Sequence, residues 1–374
     1  MRFITLITKN VIHRPMRSAL TALGLSVAIA AVIVLVGISW NFERSFLAIY
    51  RSKGIDMVIV HAGSSNQLSS SLEVGMVDRL RRIEGVADAA PTLVDTVAFE
   101  DQNLASVLVD GWEPDSLLFK GIRMLSGRPL RRGDDRSVLL GRVLALNLDK
   151  KADDPIQVSG ESFRVVGVFE SDSLFENGAL VLPLTVLQKM MGREGQATGI
   201  VISAMSSEPA FLDSLRRRIE SQIPGVAATP ARDYVVADTQ IRLAKAMSWT
   251  TGLIAMVMGA LGMLNTMLMS IFERTREIGI LRAVGWRRHR VLVLVLGEAL
   301  VIATAGTLIG GVLAAVGMQA LMLSPTARGF IDPNIPIEVL GLALAMGIGL
   351  SLLGGLYPAA RAAALDPTEA LRHE

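Results

Sequence analysis

The chain has 374 residues, with 37 Lys and Arg against 35 Asp and Glu for a net charge of +2, a hydrophobic share of 51% and no cysteine. Charged residues make up 19%, below the roughly 25% of soluble proteins, and the deficit is concentrated in four stretches free of Asp, Glu, Lys and Arg: 18–42, 246–272, 299–327 and 339–360. This excludes a soluble single-domain enzyme, a disordered tail protein and a disulfide scaffold, and without Cys there is neither a thiolate metal site nor a Cys nucleophile.

Residues 1–17 carry Arg2, Lys9, Arg14 and Arg17 and no acid, the mark of a cytoplasmic segment. Phe3, Leu6, Ile7 and Val11 fall at helical spacing before Pro15, which predicts an amphipathic helix on the inner leaflet. The first span occupies 18–42. A cleavable signal peptide is the competing reading, but its apolar core runs to only about 7–15 residues, and this run ends in Asn41-Phe42-Glu43 rather than in small residues.

The next long segment, 43–245, is too long for the charge rule to orient and is placed outside by its neighbours. Apolar runs at 57–60, 106–109, 137–140, 163–169, 179–182 and 199–203 read as strands. Residues 72–83 and 209–223 read as amphipathic helices, and Ser64 to Ser71 as a solvated loop. Leu80 to Val86 and Leu215 to Val226 both pass from an Arg-rich helix through a Gly to a short apolar strand. That weak repeat predicts two strand-helix-strand halves, with a strand-rich second lobe at about 104–195.

The second span is 246–272, and the third is 291–323. Between them, 273–290 holds Arg274, Arg276, Arg282, Arg287, Arg288 and Arg290 against Glu273 and Glu277, so it faces the cytoplasm. Residues 324–338, with Arg328 as their only basic residue, face outward. The fourth span, 339–360, returns the tail 361–374 to the cytoplasm. The fold class is thus a membrane protein of four transmembrane α-helices, with a large extracytoplasmic α+β domain of two lobes inserted between helices 1 and 2. Membrane topology accounts for the basic clusters, so membrane lipid and not nucleic acid is the expected partner.

A chain that moves cargo could carry its own motor, yet no phosphate-binding G-x-x-x-x-G-K-[ST] loop occurs, nor G-x-S-x-G or H-E-x-x-H. His13, His61, His289 and His373 are scattered over both membrane sides, so no metal site is expected. Asp134-Asp135 and Asp153-Asp154 lie beside Gly133 and Pro155 and read as solvated turns. Glu298 is embedded in an apolar stretch, which by default suggests a functional carboxylate. Its nearness to Arg290 along one helix favours a structural pair with Arg287 or Arg290. Small residues recur at four-residue spacing, among them Gly24 and Ala28, Ala255 and Gly259, and Gly306 and Gly310, which lets helix backbones approach closely in lipid.

The segment from Glu273 to Arg288 interleaves Glu and Arg with an apolar face of Ile278, Leu281 and Val284 and ends at Gly285, a short amphipathic helix suited to a partner's groove. These residues resemble the signature between the second and third spans of the MacB/FtsX-like permeases of ABC transporters. The run Tyr357 to Glu374 is similar to that family's terminal motif, and further matches lie at 125–130, 138–141, 163–168 and 181–184. Residues 147–155 lack the Gly turn expected there. The resemblance implies that Glu273, Arg276, Glu277, Ile278, Gly279, Leu281, Arg282, Ala283, Gly285 and Trp286 form a coupling helix seated on an ATPase. It makes Pro358, Arg361, Asp366, Pro367, Glu369, Ala370, Leu371 and Arg372 the C-terminal motif, and 43–245 a MacB-like domain. In fused members the nucleotide-binding domain precedes the first span. Only 1–17 do so here, which implies two copies of a separate ATPase, holding ATP and Mg, with no cofactor in this chain. The other expected partners are a second permease copy, identical or a paralogue, and a periplasmic adaptor.

The expectation is therefore a mechanotransmission permease in a bacterial inner membrane, with both termini cytoplasmic. Residues 233–245 are helix-compatible and would extend the second span as a stalk. Export of amphiphilic compounds, peptides or lipids leads; lipoprotein release or control of cell-wall hydrolases uses the same machine; a membrane-anchored receptor without energy coupling is the rival from another class.

Overall fold

The computed structural model describes residues 15–64, 68–99, 102, 104–323 and 334–365. Most of the expected N-terminal amphipathic helix lies outside these residues, as do most of the loop 324–338 and the terminal-motif residues Asp366, Pro367, Glu369, Ala370, Leu371 and Arg372. In chain order the helices are α1 (Pro15–Lys53), α2 (Met76–Arg81), α3 (Arg142–Asn147), α4 (Leu174–Asn177), α5 (Leu184–Met190) and α6 (Pro209–Gln222), then α7 (Ala231–Ala237), α8 (Thr239–Glu273), α9 (Thr275–Ala283), α10 (Arg288–Leu321) and α11 (Ile337–Ala364). The described residues divide into two compact units, one built from 15–39, 245–321 and 334–365, the other from 40–244 with 322–323.

In the outer unit the strands are β1 (Met57–His61), β2 (Leu72–Glu73), β3 (Val86–Phe99), β4 (Leu104–Trp112), β5 (Ile122–Gly127) and β6 (Ser137–Gly141), then β7 (Pro155–Val158), β8 (Glu161–Ser171), β9 (Leu180–Pro183), β10 (Gln196–Ala197), β11 (Gly199–Ala204) and β12 (Val226–Pro230). The first lobe has the order β12-β1-β11-β3, every neighbour antiparallel. With α2 between β1 and β3, and α6 between β11 and β12, this is a ferredoxin-like arrangement split by a long insertion after β3. Alternation along β1 explains its unbroken apolar run. Met57 and Ile59 face Leu80, Leu215 and Ile219 of α2 and α6, whereas Val58 and Val60 face the other layer with Tyr50 of α1 and Val235 of α7. The sheet continues through β4-β9-β6-β8-β5 into the second lobe, where Leu140, Val165, Leu180 and Leu182 pack beneath Leu144 and Leu187. Both lobes therefore share one sheet.

Two expectations are corrected. Residues 72–83 are not one helix: Leu72 and Glu73 pair with Ala197 and Gln196, a non-local ladder that restricts α2 to Met76–Arg81. The stalk does not run unbroken from 233, because Asp238 has extended ψ and its Oδ1 accepts the N–H groups of Gln240 and Ile241 at 2.9 and 3.1 Å, an N-cap that starts α8 at Thr239. Beyond the expected span, helix α1 continues to Lys53 as part of the outer unit, where Tyr50 is buried in its core. In the Gly-free loop 147–155, Asp149 and Asp153 take the left-handed conformation, with φ of 50° and 78°, a role Asp tolerates through its short polar side chain.

In the membrane unit, α1, α8, α10 and α11 are each long and apolar enough to span a bilayer. Gly306 and Gly310 lie against α1, where an added Cβ would sit 3.1 Å from the Ala22 carbonyl and 2.8 Å from that of Ser26. Their small size allows that approach. The apolar window of α8 is only 17% buried, against 39–44% for the other three, so α8 presents the most uncovered surface. Gly24, Ala28, Ala255 and Gly259 line an open groove of about 870 Å³ between α1 and α8, which Asn265 and Met258 also border.

Candidate functional site: the helix between the second and third spans

Helix α9 is set by its ends. Gly285 adopts φ +101°, its N–H reaches the Arg282 carbonyl, and the Trp286 N–H reaches that of Leu281 at 3.0 Å, the paired bonds of a Schellman C-cap. Ile278 and Gly279 are its buried residues. Ile278 packs in a cluster with Ile271 at the end of α8, Val291 and Val295 of α10, and Ala359, Ala362 and Ala363 of α11, with Trp286 against its edge. The opposite face carries Arg276, Glu277, Ile280 and Ala283, all exposed. Ile280 is 47% and Val284 77% exposed.

The apolar face read from sequence is thus corrected. Val284 does not join Ile278. Steps of 100° put it four residues on from Ile280 and so on that side of the spiral, leaving an apolar pair on the outward face with Arg276 one turn earlier. The half-buried Leu281 and Arg282 lie between the two faces, and Arg282 Nη1 donates to the Trp286 carbonyl at 3.3 Å.

Glu298 pairs with neither Arg287 nor Arg290, which are exposed around the start of α10. Among its partners is Arg274, whose Nη1 donates to both carboxylate oxygens at 2.9 and 3.1 Å while Nε donates to Glu277 at 2.9 Å. From the terminal motif, Pro358 is buried within α11, and the Arg361 guanidinium stacks over Phe272 at the end of α8, 5.2 Å from the ring centroid. The described parts of the two motifs therefore meet around α9. Glu273 is exposed beside them.

The outer unit holds a buried ionic cluster that sequence reading missed. The Lys53 side chain is fully buried and pairs with Glu176 at 3.1 Å, donates to the Leu118 carbonyl, and lies 4.4 Å from the Trp112 ring centroid. Glu176 also accepts from the Ser171 hydroxyl. Asp110 and Tyr50 border the same small cavity of about 90 Å³. Burial first, then the Glu176 charge, pushes Asp110 up to about 7 against the pull of Lys53. No spacing signals this cluster, because its members are brought together by sheet topology.

These observations define a polytopic α-helical membrane protein with a large α+β domain inserted between its first and second helices and a two-faced helix between the second and third. Residues 18–222 match the MacB-like periplasmic core domain family, and residues 249–367 match the FtsX-like permease C-terminal family. The chain belongs to the MacB/FtsX-like permeases of ABC transporters. A macrolide export ATP-binding/permease protein MacB from Nitrobacter winogradskyi is 28% identical over 378 residues, covering 96% of this chain and 58% of that protein. The chain thus spans less than two thirds of that relative. The uncharacterized ABC transporter permease YvrN of Bacillus subtilis is 28% identical over 418 residues, with 98% of each chain covered. Among solved structures, the periplasmic region of MacB from Actinobacillus actinomycetemcomitans matches 49% of this chain and 92% of its own, at 14% identity and a TM-score of 0.39.

Proposed function

We propose that this chain is a permease subunit that seats the outward face of α9 on a separate ABC ATPase and passes the ATP-driven motion to its extracytoplasmic domain. The single observation that carries this is the exposed Ile280–Val284 pair on a helix whose other face is buried among three spans. Exposed apolar pairs at i,i+4 on a short helix suit a partner's groove. The ATPase, in two copies, holds ATP and Mg. The charge bias supports the orientation we propose, with both termini in the cytoplasm of a bacterium and 43–245 on the far side of its inner membrane. The stretches 18–42, 246–272, 299–327 and 339–360 carry no Asp, Glu, Lys or Arg, which suits amphiphilic cargo, the class we favour: small compounds, peptides or lipids, handled with a periplasmic adaptor.

The test is assembly with the cognate ATPase. Ile280→Asp and Val284→Asp should each weaken the complex at least about tenfold, the scale of one lost apolar side-chain burial, read by co-purification and by stimulated ATP hydrolysis. Unchanged assembly and hydrolysis in both variants would favour a receptor without energy coupling.

The groove between α1 and α8 suits a second copy, since Asn265 on its wall is a polar group that a partner helix can satisfy better than lipid can. As the chain has no cysteine, Met258→Cys reports on this contact alone. Oxidised membranes should yield a cross-linked dimer, and adding Asn265→Leu should reduce that yield. A monomer-only band would discard the groove as the interface.

A further inference from the structure

We infer that Arg274 is a positioning residue that fastens α9 to the third span, α10, so that displacement of α9 reaches α10 and α11 as well as α8. This rests on the reading of α9 as the ATPase-docking helix.

Arg274 is the single residue between α8 and α9. Its backbone, at φ −113° and ψ 14°, leaves the helical spiral. A one-residue joint with an interrupted hydrogen-bond ladder is a place where a short helix can swing. Here the joint residue's own side chain closes it. One guanidinium reaches Glu277 in the first turn of α9 and Glu298 of α10, which is 24 positions along the chain. The two charged side chains are only 14% and 9% exposed. An ion pair this sheltered is hard to break one-sidedly, because the remaining charge is left without compensation in a low-dielectric setting. A second fastening lies on the same side, where Ile278 packs with Val291 and Val295 of α10. Ionic and apolar contacts thus both tie α9 to α10, while Ile280 and Val284 remain exposed. A load applied to that exposed pair therefore has two routes, the covalent joint into α8 and, into α10, the Arg274–Glu298 contact together with the packing of Ile278. Helix α10 in turn packs against α11, where an added Cβ on Gly355 would lie 3.0 Å from Ala299, one residue from Glu298. The carboxylate embedded in the third span thereby has a mechanical role that requires no proton transfer.

The test uses the full chain in lipid nanodiscs with hydrogen–deuterium exchange. Arg274→Gln and Glu298→Gln should each speed amide exchange across 275–283 by about tenfold and leave β1 and β11 of the outer unit unchanged, whereas Arg274→Lys should restore most of the protection. If either single variant misfolds, the double variant Arg274→Gln/Glu298→Gln, which removes both charges of this pair, should fold and still exchange fast in 275–283. Wild-type exchange there in the folded double variant would overturn the fastening. With the cognate ATPase and ATP, exchange in 291–305 should change in the wild type and several-fold less in the double variant, where only the Ile278 packing still joins α9 to α10; an equal change in both would overturn the transfer. The first readout needs no partner, so failed docking at Ile280 and Val284 would leave it standing, and a negative result here would leave docking intact.

Discussion

Replacing Lys53 with Met is expected to lower the unfolding midpoint of the outer unit by about 10 °C. The Lys53 ammonium is fully buried at the end of α1, paired with Glu176 at 3.1 Å, hydrogen-bonded to the Leu118 carbonyl and set over Trp112. Met keeps much of the apolar stem but removes the charge, which strands the Glu176 carboxylate beside Asp110. Removing one member of a buried pair typically costs about 3–5 kcal/mol, and in a domain of this size each kcal/mol shifts the midpoint by about 2–4 °C. The companion variant Lys53→Met/Glu176→Gln should recover most of the loss, because Gln can still accept from the Ser171 hydroxyl and no isolated charge remains. Thermal unfolding followed by circular dichroism decides the matter: equal losses in the single and double variants would mean that packing, not the stranded carboxylate, sets the cost.

The second large effect is a dependence on pH. Asp110 is pushed from 3.8 in the unfolded chain up to about 7 in the folded one, chiefly by burial and then by Glu176. Between those values the folded state holds a proton that the unfolded chain has released. Stability from this group is therefore fully present below about pH 4, declines as pH rises, and is gone above about 7. The span of roughly three units corresponds to at most about 4 kcal/mol. Asp110→Asn removes the titrating carboxyl, so the variant should show a flatter profile from pH 5 to 8 and a higher midpoint than the parent at pH 8. Lys53 pulls the Asp110 value down, so in Lys53→Met the decline should start at the same pH but extend to higher pH. A parent slope that survives Asp110→Asn unchanged would assign the effect to another group.

Reading the chain in order finds the elements whose signal is local. The four spans emerge from uncharged runs because each must satisfy its own backbone in lipid, and α6 from its periodic apolar stripe. Helix α9 is visible through its terminating Gly285, yet the side it exposes is not, since Ile278 and Ile280 are chemically alike and only the packing of Val291, Val295 and Ala359 selects which of them is covered. Likewise, Leu72 and Glu73 have the pattern of a helix until Gln196 and Ala197 pair with them.

By itself the sequence determined the number of spans, the inserted α+β domain and the family, because hydrophobic length, strand alternation and two contiguous motifs are properties of neighbouring residues. Tertiary structure alone decided that Glu298 meets Arg274, that Lys53 meets Glu176, and that Ile280 and Val284 are left uncovered. Each of these depends on charges or surfaces brought together from distant points of the chain, and their energies exist only once water has been displaced between them.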